Sequence, residues 1–326
     1  MKKKIALLTG GNSSEYPISL MSANEMAKHI DSEKYELYTI TIRETQWLVT
    51  SGLHCDIGID KNDFSFTFDN QKTSFDLIVF AIHGTPAEDG KLQAYFDMLN
   101  IKYIGCDMLT SALSFDKHTC NSYLKNKNIK MAKSILIKNL EQVNTDALQK
   151  ELGLPMFVKP NNGGSSYGAS KVKQIEELIP AIEKAFKEDK AVLVEEFIKG
   201  IEITCGLVKT KKAEIVFPLT EIVYDAEFFD TETKYTDNLA QEITPARISE
   251  QLTLECQKMS SEIYDLLNCK GLVRVDYFLS NNQFYFLELN TIPGMTANSL
   301  VPKQIRASGY SFKQIFDLMI NDVLDS

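Results

Sequence analysis

The sequence predicts an α/β protein that opens with a doubly wound parallel sheet and continues into strand-rich α+β units. Three observations carry this expectation. Two continuous apolar runs, residues 3–11 and 75–84, read as strands buried on both faces, as strands of parallel sheets are. Helical patterns over residues 19–30 and 91–100 alternate with them, the order expected of crossover connections. Near the end, two alternating apolar runs flank Ser280-Asn281-Asn282-Gln283, a polar turn cluster that marks a hairpin.

The elements follow in order. The first strand ends in Gly10-Gly11, and a short strand at residues 102–105 closes a first unit near residue 115. A helix from Phe115 leads into the strand MAKSILI, and another helix ends at Gly153 before the strand PMFVKP. A loop, NNGGSSYG, precedes GASKVK, and a helical pattern over residues 174–187 contains Pro180, which marks a kink or restart. The strand AVLVEEFI completes a compact α+β unit. The remainder is strand-rich to Tyr224, polar over residues 225–244, helical over 248–268, then the hairpin and a helix after Ser311. The expected domains are residues 1–115, 116–198 and 199–326.

Bulk properties narrow the function. A chain of 326 residues with 44% hydrophobic content supports two or three domains with ample core. The net charge of −9, without a basic stripe, argues against nucleic acid as a partner. The start, MKKKIALLTGG, has an apolar run too short for a signal peptide, and no run reaches membrane-spanning length. The six cysteines include no CxxC pair and read as reduced, mostly buried thiols of a cytoplasmic protein.

The stretch FYFLELNTIPGM places Glu288 and Asn290 two apart on an apolar strand, so they share a face while Leu287 and Leu289 share the other. Folding the hairpin about its turn sets Asp276 nearly opposite Glu288, with Arg274 on the same face. Opposed carboxylates repel. Either a hard cation such as Mg²⁺ binds between them, or Arg274 neutralises them in a salt-bridge network, and the hairpin alone leaves both open.

Other residues admit two readings as well. The loop at residues 161–168 follows Lys159-Pro160 and is either a phosphate cradle or a simple turn. Neither a Walker A sequence nor GxGxxG occurs in the chain. Lys117 opens a helix, where the helix dipole disfavours a cation, so a ligand is expected to hold it. Glu195 and Glu202 are able to accept ribose hydroxyls, and Lys234-Tyr235 lie in a polar stretch long enough to close over a site. Singly, each also reads as solvated charge.

In order, these residues resemble the D-alanine–D-alanine ligases of the ATP-grasp superfamily. The resemblance spans nearly the whole chain: LLTGGNSSEYPISLMSA, IHGTPAEDGKLQ, SALSFDK, LPMFVKPNNGGSSYGASKV, VLVEEFIKGIEIT, TETKY, CKGLVRVDYFL and FLELNTIPGMTANSLVP. It implies a three-domain ATP-grasp architecture, with ATP gripped between the second and third domains. It implies that Asp276, Glu288 and Asn290 hold two Mg²⁺ ions, with Mn²⁺ as a substitute. Lys117, Lys159 and Lys234 match phosphate-binding lysines, Glu195 and Glu202 adenosine-binding carboxylates, and Phe197 and Ile198 the adenine hinge. Arg274 and the Gly294 N–H match the oxyanion-stabilising groups. Glu15 matches the anchor of the first substrate's ammonium, with Ser165 and Tyr235 as its partners. His83 matches a residue beside the first substrate, and Ser299 and Leu300 the contacts to the second.

The activity implied is ATP-dependent joining of two D-alanine molecules through an acyl phosphate, releasing ADP and phosphate, for peptidoglycan precursors. The resemblance also implies a cytoplasmic homodimer. Four departures stand out: TPAEDG is poorer in glycine, Glu196 stands where lysine is frequent, Asn298 where some members have histidine, and Tyr16-Pro17 where polar residues are commoner. Rival readings are a ligase using D-lactate or D-serine, an inactive nucleotide-binding regulator, and an NAD-dependent oxidoreductase. The intact Arg274, Asp276, Glu288, Asn290 and lysine set speaks against the second, and the missing GxGxxG against the third.

Overall fold

β1 (Lys3–Gly10), the first apolar run, sits inside a six-stranded sheet. It is followed by α1 (Tyr16–His29), β2 (Tyr35–Arg43), β3 (Gln46–Val49), β4 (Ile57–Gly58), a small hairpin of β5 (Phe66–Phe68) and β6 (Gln71–Thr73), β7 (Leu77–Phe80), α2 (Lys91–Leu99) and β8 (Tyr103–Ile104). The sheet order is β4-β3-β2-β1-β7-β8, with β1 parallel to β2 and β7, and β7 parallel to β8. This is the parallel sheet expected, with β3 and β4 added antiparallel at one edge. Alternate residues of β1 enter different cores: Ile5 and Leu7 pack with Met26 of α1, Ala6 and Leu8 with Leu92 and Phe96 of α2. That is why the run shows no polar alternation. The computed structural model describes residues 2–51, 55–224 and 240–325; Lys234, Tyr235 and the rest of the expected closing segment, residues 227–238, lie outside them.

α1 starts three residues before the expected Ser19, because Pro17 in its first turn presets a helical φ. The helix expected from Phe115 is two helices, α3 (Met108–Phe115) and α4 (Lys117–Lys125). They break at Asp116, whose carboxylate accepts the Thr119 N–H at 2.8 Å and so caps the second. Next come β9 (Ser134–Ile137), α5 (Thr145–Leu152), β10 (Met156–Pro160), β11 (Ser170–Val172), α6 (Leu178–Ala185) and β12 (Val192–Glu196). The four strands form an antiparallel sheet, β11-β10-β12-β9. Pro180 lies in the first turn of α6, directly after a 3-10 turn at Ile175–Glu177, so it marks a restart.

The third sheet holds β13 (Ile201–Lys209), β14 (Glu214–Val216), β15 (Thr220–Tyr224) and β16 (Ala240–Ile243), followed after α7 (Glu250–Leu266) by β17 (Gly271–Ser280) and β18 (Gln283–Asn290). Its order is β16-β15-β13-β17-β18, with β14 on β13. The expected hairpin register holds: Asp276 pairs with Glu288 and Arg274 with Asn290. The chain ends in α8 (Leu300–Ala307), which the sequence reading missed, and α9 (Phe312–Leu324). Phe312, Ile315 and Phe316 share a core with Ile5, Leu7 and Leu77, so the last helix returns to the first sheet. Among the described residues no helix is long and apolar enough to cross a membrane. Five of the six cysteines are buried, and burial pushes the Cys120 and Cys205 thiols up to about 12, as expected of inert thiols.

α8 is fastened to β13 by Gln304, which is fully buried. Its Oε1 accepts the Gly206 N–H at 2.9 Å, and its Nε2 donates to the Thr204 carbonyl at 3.0 Å and to the Thr204 and Thr220 hydroxyls at 3.1 Å each. A Cβ on Gly206 would stand 2.5 Å from that Oε1, so a side chain there would push the Gln304 carboxamide out of these bonds. Replacing Gln304 with leucine keeps the bulk but strands buried polar groups, a loss of about 2–4 kcal/mol. The expected result is a lower urea midpoint for Gln304→Leu; an unchanged midpoint would show that water replaces these bonds.

Candidate active site

A cavity of about 540 Å³ lies where the three sheets meet, and a second of about 190 Å³ opens beside it. Both are lined by Lys117, Gly163, Gly164, Ser165, Arg274 and Glu288, which stand between them.

The hairpin supplies one wall. On β17, Val273, Val275 and Tyr277 point into the core, leaving Arg274 and Asp276 on the cavity side. β18 cannot follow by simple alternation, because Glu288 and Asn290 are in phase with the buried Phe284 and Phe286. A bulge resolves this: Asp276 pairs with Glu288 but Tyr277 pairs with Phe286, leaving Leu287 as the extra residue. The expectation that Leu287 shares a face with Leu289 is therefore corrected. Leu289 enters the core, whereas Leu287 lines the smaller cavity beside Glu288.

The carboxylates there are neutralised by neighbours. Arg274 grips Asp276 through Nε at 2.8 Å and Nη2 at 2.7 Å, and Asn290 donates to the same carboxylate at 2.9 Å. Burial works against the Arg274 charge, but Asp276 overrides it and holds the guanidinium more firmly protonated than usual. Lys117 sits 3.3 Å from Glu288 and donates to the Gly163 carbonyl at 2.7 Å. The cation at the start of α4 is thus held by protein groups. Lys159, at the end of β10, pairs with Glu195 at 2.8 Å, both buried. Glu195, expected to face ribose, is engaged by that lysine.

Among the described residues no three His, Cys, Asp or Glu side chains cluster as a metal site. The hairpin nonetheless offers two carboxylates and a carboxamide from adjacent strands, a hard-oxygen set of the kind Mg²⁺ uses when substrate phosphates complete its shell. The donor chemistry fits the ion.

The opposite wall comes from the first unit. Glu15 precedes α1 as its N-cap but does not cap it through its side chain. Its carboxylate instead reaches the glycine loop, accepts the Ser165 hydroxyl, and lies where a Gly164 Cβ would be 2.6 Å from Oε2. Ser165 and Ser166 both adopt left-handed backbone, φ 50° and 58°, a conformation that costs non-glycine residues about 1 kcal/mol or more each. Ser22 contacts the His83 ring nitrogen Nε2 at 3.1 Å and accepts the Met295 N–H at 3.3 Å, joining His83 to the segment that carries Gly294. Ser299 caps back on Thr296, accepting its N–H at 3.1 Å, and Gly294 lies against the Ser299 hydroxyl. Ser299, Leu300 and Asn298 line the larger cavity with Glu15 and His83.

Phe197, Ile198 and Glu202 line the smaller cavity. The Lys171 ammonium lies 4.1 Å from the Phe197 ring centre, fixing that ring by a cation–π contact. Two departures find local explanations. Glu196 accepts the Lys133 N–H at 2.8 Å, and the Arg43 guanidinium stacks 4.9 Å from the Tyr16 ring centre.

The family comparisons agree with this geometry. The chain matches the family model described as D-ala D-ala ligase N-terminus over residues 4–106 and that described as D-ala D-ala ligase C-terminus over residues 124–321. The D-alanine–D-alanine ligase of Parabacteroides distasonis is 49% identical over 99% of this chain and 98% of its own. The chain belongs to the D-alanine–D-alanine ligase family. Solved structures with the same fold include the VanG D-Ala:D-Ser ligase from Enterococcus faecalis, 34% identical over 98% of this chain and 99% of that one, TM-score 0.87. Another is the Bacillus anthracis D-alanine–D-alanine ligase complexed with ATP, 32% identical over 99% and 98%, TM-score 0.79. This ligase is an ATP-dependent enzyme of ATP-grasp architecture, and its family joins D-alanine to D-alanine.

One residue of the ligase's cavity escaped the sequence reading. Glu88, in TPAEDG, lines the larger cavity and accepts the Gly84 N–H at 2.6 Å. The signal available was a carboxylate four residues after Gly84, placed to close a turn. Burial, and then the neighbouring Glu15 charge, push its carboxyl up to about 8. The folded protein keeps this proton over a range in which an ordinary carboxyl, at 4.5, has released it. The stability it contributes is therefore full below about pH 4.5 and lost as pH rises towards about 8. Glu88→Gln should flatten the fall in urea midpoint between mildly acidic and mildly alkaline pH by the equivalent of about 1–3 kcal/mol. Parallel pH profiles for the two proteins would contradict this.

Proposed function

We propose that this ligase forms D-alanyl-D-alanine, with nucleotide phosphates held at Lys117, Lys159 and the loop at residues 161–168, and the amino acids in the larger cavity. The observation that carries the reading is that Glu15, His83, Arg274, Gly294 and Ser299 line one cavity together with Lys117 and the glycine loop it bonds.

The chemistry follows from what a carboxylate lacks. It is a poor electrophile, so the γ-phosphoryl group of ATP first moves to a carboxylate oxygen of the first D-alanine, and ADP departs. Glu15 holds that substrate's ammonium while Ser165 fixes the Glu15 rotamer. The amine of the second D-alanine, after losing a proton, attacks the acyl carbon, and phosphate leaves as the amide forms. Arg274 and the Gly294 N–H face the developing oxyanion. Ser299 and the start of α8 receive the second substrate's carboxylate, as helix starts suit anions. Mg²⁺, held by Asp276, Glu288 and Asn290, would neutralise phosphate charge during transfer. The cytoplasmic homodimer implied by the resemblance belongs to the same reading.

Two outcomes follow. Asp276→Asn or Glu288→Gln should reduce turnover by about a hundredfold or more with the circular dichroism spectrum retained, since each removes charge from the oxygen set. Near-normal turnover of either folded variant at saturating Mg²⁺ would refute the assignment. Supplied with equal D-alanine, D-serine and D-lactate as acceptors near neutral pH, the enzyme should yield mainly D-alanyl-D-alanine by mass. A predominant ester or D-alanyl-D-serine would transfer the assignment to one of the rival ligases.

A further inference from the structure

Asn161 follows Lys159-Pro160 and is almost wholly buried, although it neither matches a site residue nor lines either of the two cavities at the hairpin. Three of its atoms hold two other segments, the approach to β12 and the start of α4. Its N–H donates to the Ala191 carbonyl at 2.9 Å, just before β12. Its carbonyl accepts the Lys117 N–H at 3.2 Å, and its side-chain Oδ1 accepts the His118 N–H at 2.9 Å. Those are the first two N–H groups of α4. The third, from Thr119, goes to Asp116. The start of α4 is therefore capped jointly, by its own Asp116 and by a residue from the end of β10.

We propose that Asn161 is a positioning residue for the nucleotide: its carboxamide oxygen fixes the start of α4, and hence Lys117, relative to the strand end that bears Lys159. Resting on the nucleotide-site reading above, this extends it to the first residue of the loop at residues 161–168, which is buried and lines neither cavity. Lys117 has a long, flexible stem, so its ammonium is only as well placed as its backbone. Without the Oδ1 acceptor, the His118 N–H has no partner, and the first turn of α4 is free to shift towards water. The backbone bond from Lys117 alone does not set the direction of the helix.

Binding, not turnover, provides the test. The affinity of the whole protein for Mg·AMP-PNP is measured by calorimetry for wild type, Asn161→Ala, Asn161→Asp and Lys117→Met, and for Asn161→Ala combined with Lys117→Met, with thermal melts confirming that each is folded. Asn161→Ala should weaken binding about tenfold, as expected when a charged contact is displaced by a fraction of an ångström. Asn161→Asp keeps the acceptor and should bind within about twofold of wild type. In the Lys117→Met background, Asn161→Ala should cost little more, because its effect runs through that lysine. A general loss of stability would not reproduce the aspartate rescue or this coupling. Folded Asn161→Ala binding like wild type, or an undiminished loss in the Lys117→Met background, would overturn the proposal. So would wild-type protein that does not bind the analogue. Wild type that binds it but forms no dipeptide would refute the catalytic reading alone.

Discussion

The arrangement of the site depends on one constraint: charges taken out of water must be paired. Lys117, Lys159 and Arg274 are largely buried where the sheets meet, and each has a carboxylate partner in Glu288, Glu195 and Asp276. An unpaired buried charge costs several kcal/mol, more than any single packing contact returns. Local structure around the hairpin follows from this demand. The bulge at Leu287 turns Glu288 out of the Phe284–Phe286 core and towards Lys117. Asn290 then satisfies an oxygen of Asp276 that Arg274 shares. Gly163 offers a carbonyl to Lys117, and Gly164 leaves room for Glu15.

Such pairing also accounts for why both readings of the hairpin were reasonable from sequence. Opposed Asp276 and Glu288 do need positive charge between or beside them, and in the protein alone Arg274 and Lys117 supply it. The same oxygens suit a hard cation when phosphates arrive. On the proposed reading, the salt-bridge network and a metal site would be two occupancies of one donor set.

Much of this was legible in the chain, for reasons tied to particular residues. The hairpin register could be read because Ser280–Gln283 is an unambiguous polar turn, and a turn fixes which residues face each other. The bulge could not, since an extra leucine in an apolar run has no local signature; only the core on one side and Lys117 on the other require it. α8 was hidden by Pro302 and by an apolar, turn-like approach through IPGMTANS. The break at Asp116 was hidden because helical pattern continues through it, and only the capping bond reveals two helices. Glu88 shows in sequence only as a carboxylate placed to close the turn at Gly84, and its burial beside Glu15 does not; Asn161 gave no sign, because its partners at Lys117, His118 and Ala191 are far away in sequence.

The chain's net charge of −9 works against the approach of an anionic nucleotide. Charges beyond about 8 Å are screened at physiological salt, so the overall balance affects encounter more than the bound state. Lys117, Lys159 and Arg274 are each already paired with a carboxylate. On the proposed reading, an arriving phosphate must take lysine N–H donors away from Glu288, Glu195 or the Gly163 carbonyl. Exchanging partners in this way is short-ranged and nearly balanced, so small displacements decide its outcome. The elements that set backbone positions therefore matter more to this site than the count of charges in it. Asp116 and Asn161 set the start of α4, the β18 bulge sets Glu288, and Gln304 sets α8 against β13.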